Sequence, residues 1–133
     1  MDFDAKTTGT SVNIREEPST NSKVVATIRA KGTNITVHTL SDTFDWMYVE
    51  YGNHTGYISS QYVEVLMGYN ECSVNITSGA LNIRQTPSKS SKVLYTMKNG
   101  AGMTYLGSYN GWKCVSCSKG TGWAYGDYIF VPA

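Results

Sequence analysis

Apolar and polar positions alternate in short bursts along this chain of 133 residues, and no stretch of ten or more residues keeps a 3.6-residue period. Val12 and Ile14 alternate with Asn13 and Arg15, which is the period of a half-buried strand. The same reading predicts strands over Phe3–Thr8, Val24–Ile28, Asn34–Leu40, Trp46–Tyr51 and Tyr57–Ser59. A single helical turn is expected at Ser60–Tyr62, then a closing strand Val63–Val65. Further on, strands are expected at Val74–Ile76, Ala80–Arg84, Lys92–Met97, Ala101–Ser108, Trp112–Cys117, Trp123–Tyr125 and Ile129–Val131. Turn signals separate them, among them Thr7–Thr10, Lys31–Thr33, Gly52–Gly56 and Asn110-Gly111. Many short strands at close spacing predict an all-β chain folded as a small sandwich or barrel.

The pattern occurs twice. Asn13-Ile14-Arg15-Glu16-Glu17-Pro18 returns 69 positions later as Asn82-Ile83-Arg84-Gln85-Thr86-Pro87, and ten of the twenty positions from Thr8 to Thr27 are identical at that offset. The offset then becomes 66: Trp46 matches Trp112, Val49 matches Val115, Thr55-Gly56 matches Thr121-Gly122, and Tyr62 matches Tyr128. The three extra residues fall between Arg29 and Trp46, where a loop is expected to vary in length. A fixed-period echo is the mark of a repeated structural unit. It predicts two domains, residues 1–66 and 67–133. The joint from Leu66 to Glu71 holds Leu66, Met67 and Tyr69, so it is expected to pack rather than swing.

Composition sharpens this picture. Hydrophobic residues make up 41% and charged residues 16%, which excludes a disordered chain. Ten Tyr, three Trp and 13 Gly favour strands and turns. The net charge is +1, yet residues 1–66 carry −3 and residues 67–133 carry +4. So small a total argues against a nucleic-acid partner, which asks for a strongly basic face. No 18-residue apolar run is present, so no membrane span is expected. The N-terminal residues lack the basic and apolar regions of a signal peptide.

Candidate chemistry is sparse. Cys114 and Cys117 have C-x-x-C spacing, but along a strand they point to opposite faces. No second such pair or His pair completes a zinc site, so the three thiols (with Cys72) are read as structural, in a reducing compartment, and no metal or cofactor is expected. The two histidines, His38 and His54, both lie in the first half, away from Cys114 and Cys117. The second half holds only Glu71 and Asp127, so no carboxylate pair recurs for glycoside hydrolysis.

Both halves carry a recognisable series: Asn-Ile-Arg, two residues, Pro-Ser, then Ser-Lys-Val, a Trp-containing strand, Thr-Gly with an aromatic, and a Tyr before a closing strand. This series, from about Phe3 to Val131, resembles the bacterial SH3-type domain, and the pair is similar to the C-terminal halves of phage endolysins and autolysins of Gram-positive bacteria, clostridia in particular. The resemblance implies two SH3-like barrels that bind peptidoglycan or an attached wall polymer and target a covalently linked muramidase or amidase domain. It implies a protein made in the host cytoplasm that acts at the cell wall. A second reading is protein–protein assembly, with the −3 and +4 halves pairing between chains in self-association.

A binding site for flat polar chains needs aromatic faces and a few polar anchors. The candidates are Trp46, Tyr48 and Tyr57 in the first half, and Tyr105, Tyr109, Trp112, Trp123 and Tyr125 in the second. Alternation turns Val49 and Val115 inward and leaves Trp46, Tyr48 and Trp112 as surface candidates. Tyr62 and Tyr128 are read as structural. Asn13, Arg15, Asn82 and Arg84 recur, either to hold local backbone or to bind.

Overall fold

The computed structural model describes residues 2–66 and 71–132. The first seven strands are β1 (Phe3–Thr7), β2 (Val12–Arg15), β3 (Val24–Ile28), β4 (Asn34–Leu40), β5 (Trp46–Tyr51), β6 (His54–Ser59) and β7 (Val63–Val65). They form one sheet in the order β3-β2-β6-β5-β4-β1-β7. The second seven are β8 (Glu71–Val74), β9 (Ala80–Arg84), β10 (Val93–Lys98), β11 (Gly102–Tyr109), β12 (Trp112–Cys117), β13 (Gly120–Tyr125) and β14 (Ile129–Phe130). Their order, β10-β9-β13-β12-β11-β8-β14, is the same one. A 3-10 turn, Ser60–Tyr62 or Gly126–Tyr128, precedes each closing strand. The fold is two tandem SH3-like barrels, as the resemblance implied.

Alternation builds each core. Val12 and Ile14, Ile35 and Val37, and Met47 and Val49 enter the first core with Ile58, Val63 and Val65. Leu81, Ile83, Met103, Val115, Ala124 and Ile129 fill the second. The repeated Thr-Gly has a steric reason. A Cβ on Gly56 would lie 2.6 Å from the Arg15 carbonyl oxygen, and one on Gly122 would lie 2.7 Å from that of Arg84. Only glycine lets β6 and β13 cross so close to the neighbouring strand.

Two expectations on extent need correction. The first strand of the second barrel is Glu71–Val74, earlier than Val74–Ile76, because its pairing with β11 begins at Glu71. The turn of the first hairpin shrinks to Gly52-Asn53, since His54 already pairs with Tyr51. The expected packing of the joint rests on residues 67–70, which lie outside the described residues; of its ends, Leu66 is exposed and Glu71 belongs to β8.

The barrels meet through an apolar seam. Ser41–Asp45, the loop that holds two of the three extra residues, carries Phe44 in left-handed backbone with φ of +67°. Its ring packs edge-on against Trp123 at 5.5 Å and lies 4.5 Å from Tyr109. Leu40 and Leu106 complete a cluster with Trp112, Cys114 and Trp123. Beside it, β7 is the free edge of the first sheet. The Val65 N–H donates to Ser116 Oγ at 2.9 Å, and the Thr121 hydroxyl donates to the Val63 carbonyl at 2.8 Å. Those two hydroxyl oxygens are 2.8 Å apart, so one hydroxyl relay caps an edge that would otherwise invite another strand.

The seam is heterologous. Leu106 occupies a bulge in β11, and His38 occupies the same bulge in β4. Leu106, Cys114 and Trp123 of the second barrel therefore correspond to His38, Tyr48 and Tyr57 of the first. The first set is covered by the Phe44 loop. The second set faces outward, with Tyr48 and Tyr57 5.1 Å apart and His38 between Asp2 at 2.7 Å and Glu50 at 3.2 Å. A covered apolar triad has become an open polar one, and the Asn110-Gly111 turn of the second barrel has no counterpart of Phe44. The pair cannot extend by the same contact at either end.

Candidate functional site

Each barrel has a groove in the same place, between the β1–β2 or β8–β9 loop, the Trp-bearing strand and the 3-10 turn. In the second barrel, Asn82, Arg84, Lys89, Trp112, Tyr125 and Tyr128 line a groove of about 570 Å³. In the first, Asn13, Arg15, Thr20, Trp46, Ser59 and Tyr62 line one of about 300 Å³. These twelve residues are six pairs at the repeat offsets of 69 and 66. The sequence echo is thus also an echo of grooves.

The polar anchors are locked. The Arg15 guanidinium donates to the Ser22 carbonyl at 2.8 Å, and Arg84 does the same to Ser91 at 2.8 Å. Each Arg closes its β2–β3 or β9–β10 loop and keeps other N–H groups toward the groove. Asn13 accepts from the Thr27 hydroxyl across β2 and β3 at 2.9 Å. The two Arg side chains thus hold loop backbone, as one reading of them expects, and they also line the grooves.

The aromatic floor differs between the two. In the second groove, Trp112 meets Tyr125 edge-on at 5.6 Å, and Tyr125 meets Tyr128 at 5.9 Å. In the first, Ser59 stands where Tyr125 would be, and its Oγ accepts from the Gln61 side chain at 3.1 Å. Gln85 of the second barrel also reaches the wall of the first groove.

Several candidates lie elsewhere. Trp46 and Trp112 are only 8% and 9% exposed, so they form groove floors rather than open surface. Alternation placed them on the correct face, but the flanking loops fold over that face. Trp123 is buried in the seam, where its indole N–H donates to the Phe44 carbonyl at 2.9 Å. Tyr109 is exposed at the seam's rim, against Phe44. Tyr105 pairs with Val115 and packs on the second core. Tyr48 and Tyr57 form the outward strip and line neither groove. Conversely, Tyr62 and Tyr128, read as structural, are 42% and 45% exposed and form the outer lip of each groove. Their identity across the repeats, at the end of a turn rather than inside a strand, was the available signal.

The thiols fit the structural reading. Cys114 faces the seam, while Cys117 packs on the opposite side against the second core. Burial pushes the Cys72 thiol up to about 11 and the Cys114 thiol up to about 12, so both stay protonated and unreactive near neutral pH. Among the described residues no group of three or more His, Cys, Asp or Glu side chains is placed to hold a metal ion, and no helix is long and apolar enough to cross a membrane.

Residues 10–64 and 79–130 each match the family described as bacterial SH3 domain. No curated protein matches the chain. Among solved structures, NlpC2 from Trichomonas vaginalis is similar at 15% identity over 97% of this chain and 48% of its own, with a TM-score of 0.38. NlpC1 from the same organism is similar at 15% identity over 97% and 45%, with a TM-score of 0.40. The chain spans about half the length of these solved chains.

Proposed function

The chain belongs to the bacterial SH3 domain family, and from that premise we propose that it is a non-catalytic module that binds peptidoglycan or an attached polymer and holds a linked peptidoglycan hydrolase at a Gram-positive cell wall. The observation that carries this reading is the duplicated groove. Identities of the repeat fall in cores and turns, and four of them fall together in the grooves. Here Asn, Arg, Trp and Tyr recur together around one concave surface in both barrels. Aromatic faces suit the flat apolar patches of glycans and peptides, and the Arg and Asn groups fix orientation. The seam supports joint use of the two sites, because a fixed pair of weak sites gains avidity without any new contact. Acting at the wall is part of the same proposal.

The test is co-sedimentation of the chain with purified Gram-positive walls. Tyr62→Ala and Tyr128→Ala change exposed groove lips and leave both cores intact. Each is expected to weaken wall binding several-fold, with the double variant weaker than either. Equal sedimentation of the double variant and the parent would overturn the groove as the binding site.

A further inference from the structure

The two grooves are built on one plan but differ in charge. Lys89 lines the second groove, with its ammonium 5.9 Å from the centre of the Tyr125 ring. The equivalent residue in the first groove is Thr20. With Arg84, the second groove has two cationic side chains and no carboxylate in its lining. Asp127 belongs to the adjacent turn but does not line it. Around the first groove the cationic bias is weaker, and two carboxylates lie nearby in sequence without lining it. The loop after Arg15 carries Glu16 and Glu17, where the second barrel has Gln85 and Thr86. Its lining is Arg15 among neutral hydroxyl and amide groups, including Gln85 of the other barrel.

We propose that the second groove selects an anionic group, a carboxylate or phosphate seated beside Lys89 against the Tyr125 face, while the first takes a neutral polar segment. The tandem then reads two chemically different parts of the wall. This rests on the grooves being the wall-binding sites. The physical case has three parts. The ammonium of Lys89 is exposed and carries no carboxylate partner among the described ion pairs, so it can meet a ligand anion without first breaking a salt bridge. Arg84 is held by Ser91 in a fixed position beside it. The Trp112–Tyr125–Tyr128 ladder supplies an apolar bed, which strengthens a charge-assisted hydrogen bond at its edge.

Two wall components carry such anions, a peptide with free carboxylates and a polymer with phosphodiesters. Calorimetry with the whole chain separates them. The probes are a soluble muropeptide with free carboxylates, the same muropeptide amidated, and a glycerol-phosphate oligomer. Lys89→Gln is expected to weaken the anionic probe roughly tenfold and to flatten its salt dependence, whereas Lys89→Arg retains binding. Loss on amidation assigns the site to the peptide carboxylate. Binding of the oligomer, lost in Lys89→Gln, assigns it to phosphate. Either result supports the proposal. If the chain sediments with walls but Lys89→Gln changes neither affinity nor salt dependence, the anionic groove is overturned while wall binding stands. If it sediments with no wall, the functional reading falls and this inference with it.

Discussion

The indole N–H of Trp123 donates to the backbone carbonyl of Phe44, 79 positions earlier, at 2.9 Å. This bond fastens one barrel to the loop of the other, and it accounts for most of the change of repeat offset. Two of the three residues that move the echo from 69 to 66 lengthen the loop that presents Phe44, and the third falls in the turn between β3 and β4. A loop whose extra length looked like tolerated variation is the plug of the seam.

The plug is expected to make the tandem unfold as one unit. Phe44→Ala removes the ring from both Trp123 and Tyr109 and should cost about 2 kcal/mol. Trp123→Phe keeps most of the packing but leaves the Phe44 carbonyl without its donor, and should cost about 1 kcal/mol. Differential scanning calorimetry checks both. The parent chain should melt in a single transition, and Phe44→Ala should broaden or divide it. A single, unshifted transition in Phe44→Ala would show that the ring contributes nothing to coupling.

Gly120 is expected to be irreplaceable where most other turn glycines are not. Its φ is +117°, and an added Cβ would come within 2.1 Å of the Gln61 carbonyl oxygen, which is backbone and cannot swing away. Gly120→Ala should cost about 3 kcal/mol or more, because strained dihedrals and a clash across the seam add. Gly100 also has a positive φ, +84°, but has nothing within 4 Å. Gly100→Ala should cost only about 1 kcal/mol. Urea denaturation of the two variants separates the close approach from the dihedral preference.

Much of this architecture was legible in the chain, for reasons that particular residues make clear. Strand period placed Val49 and Val115 inward, and both are fully buried. The Asn-Ile-Arg and Thr-Gly echoes fixed the duplication because they answer local demands: the Arg clamp on a loop carbonyl, and the glycine at a strand crossing. What was not legible depends on contacts between distant segments. Trp123 and Tyr57 are equivalent by sequence, yet one lies in the seam and the other on an open face. Only the presence of the neighbouring barrel decides between them. Tyr105 sits just before the Leu106 bulge and turns to the core, and no side-chain pattern announces a bulge.

His38 should make the first barrel's outer face sensitive to pH. The hydrogen bond that His38 donates to Asp2 first, and the one it donates to Glu50 after it, raise its pKa above the usual 6.5. The hydrogen bond to His38 lowers that of Asp2 below 3.8. A raised pKa in the fold means that protonated His38 favours the folded state. That contribution is full below about pH 6.5 and fades as pH rises through the higher folded value. Asp2 works in the other direction, adding stability above pH 3.8 that is lost as its carboxylate protonates. Proton NMR of the His38 ring should give a midpoint above 6.5, and Asp2→Asn should lower it. An unchanged midpoint in Asp2→Asn would remove Asp2 as the principal partner.

The hydroxyl relay on β7 offers the cleanest measure of how strongly the barrels are joined. Val65 N–H, Ser116 Oγ, Thr121 Oγ1 and the Val63 carbonyl form one chain in which each proton has an acceptor. Ser116 and Thr121 are each only 1% exposed, so water is poorly placed to replace either hydroxyl. Thr121→Val keeps the shape and strands the Val63 carbonyl. Ser116→Ala strands the Val65 N–H. Each should cost about 1–3 kcal/mol, the penalty for a buried polar group left without a partner. Because the hydroxyls also bond each other, the two losses should not add. A double-mutant cycle on urea denaturation is expected to show a coupling of about 1 kcal/mol. Strict additivity would mean that the two bonds act independently, and that the edge of β7 is capped by two separate contacts instead of one relay.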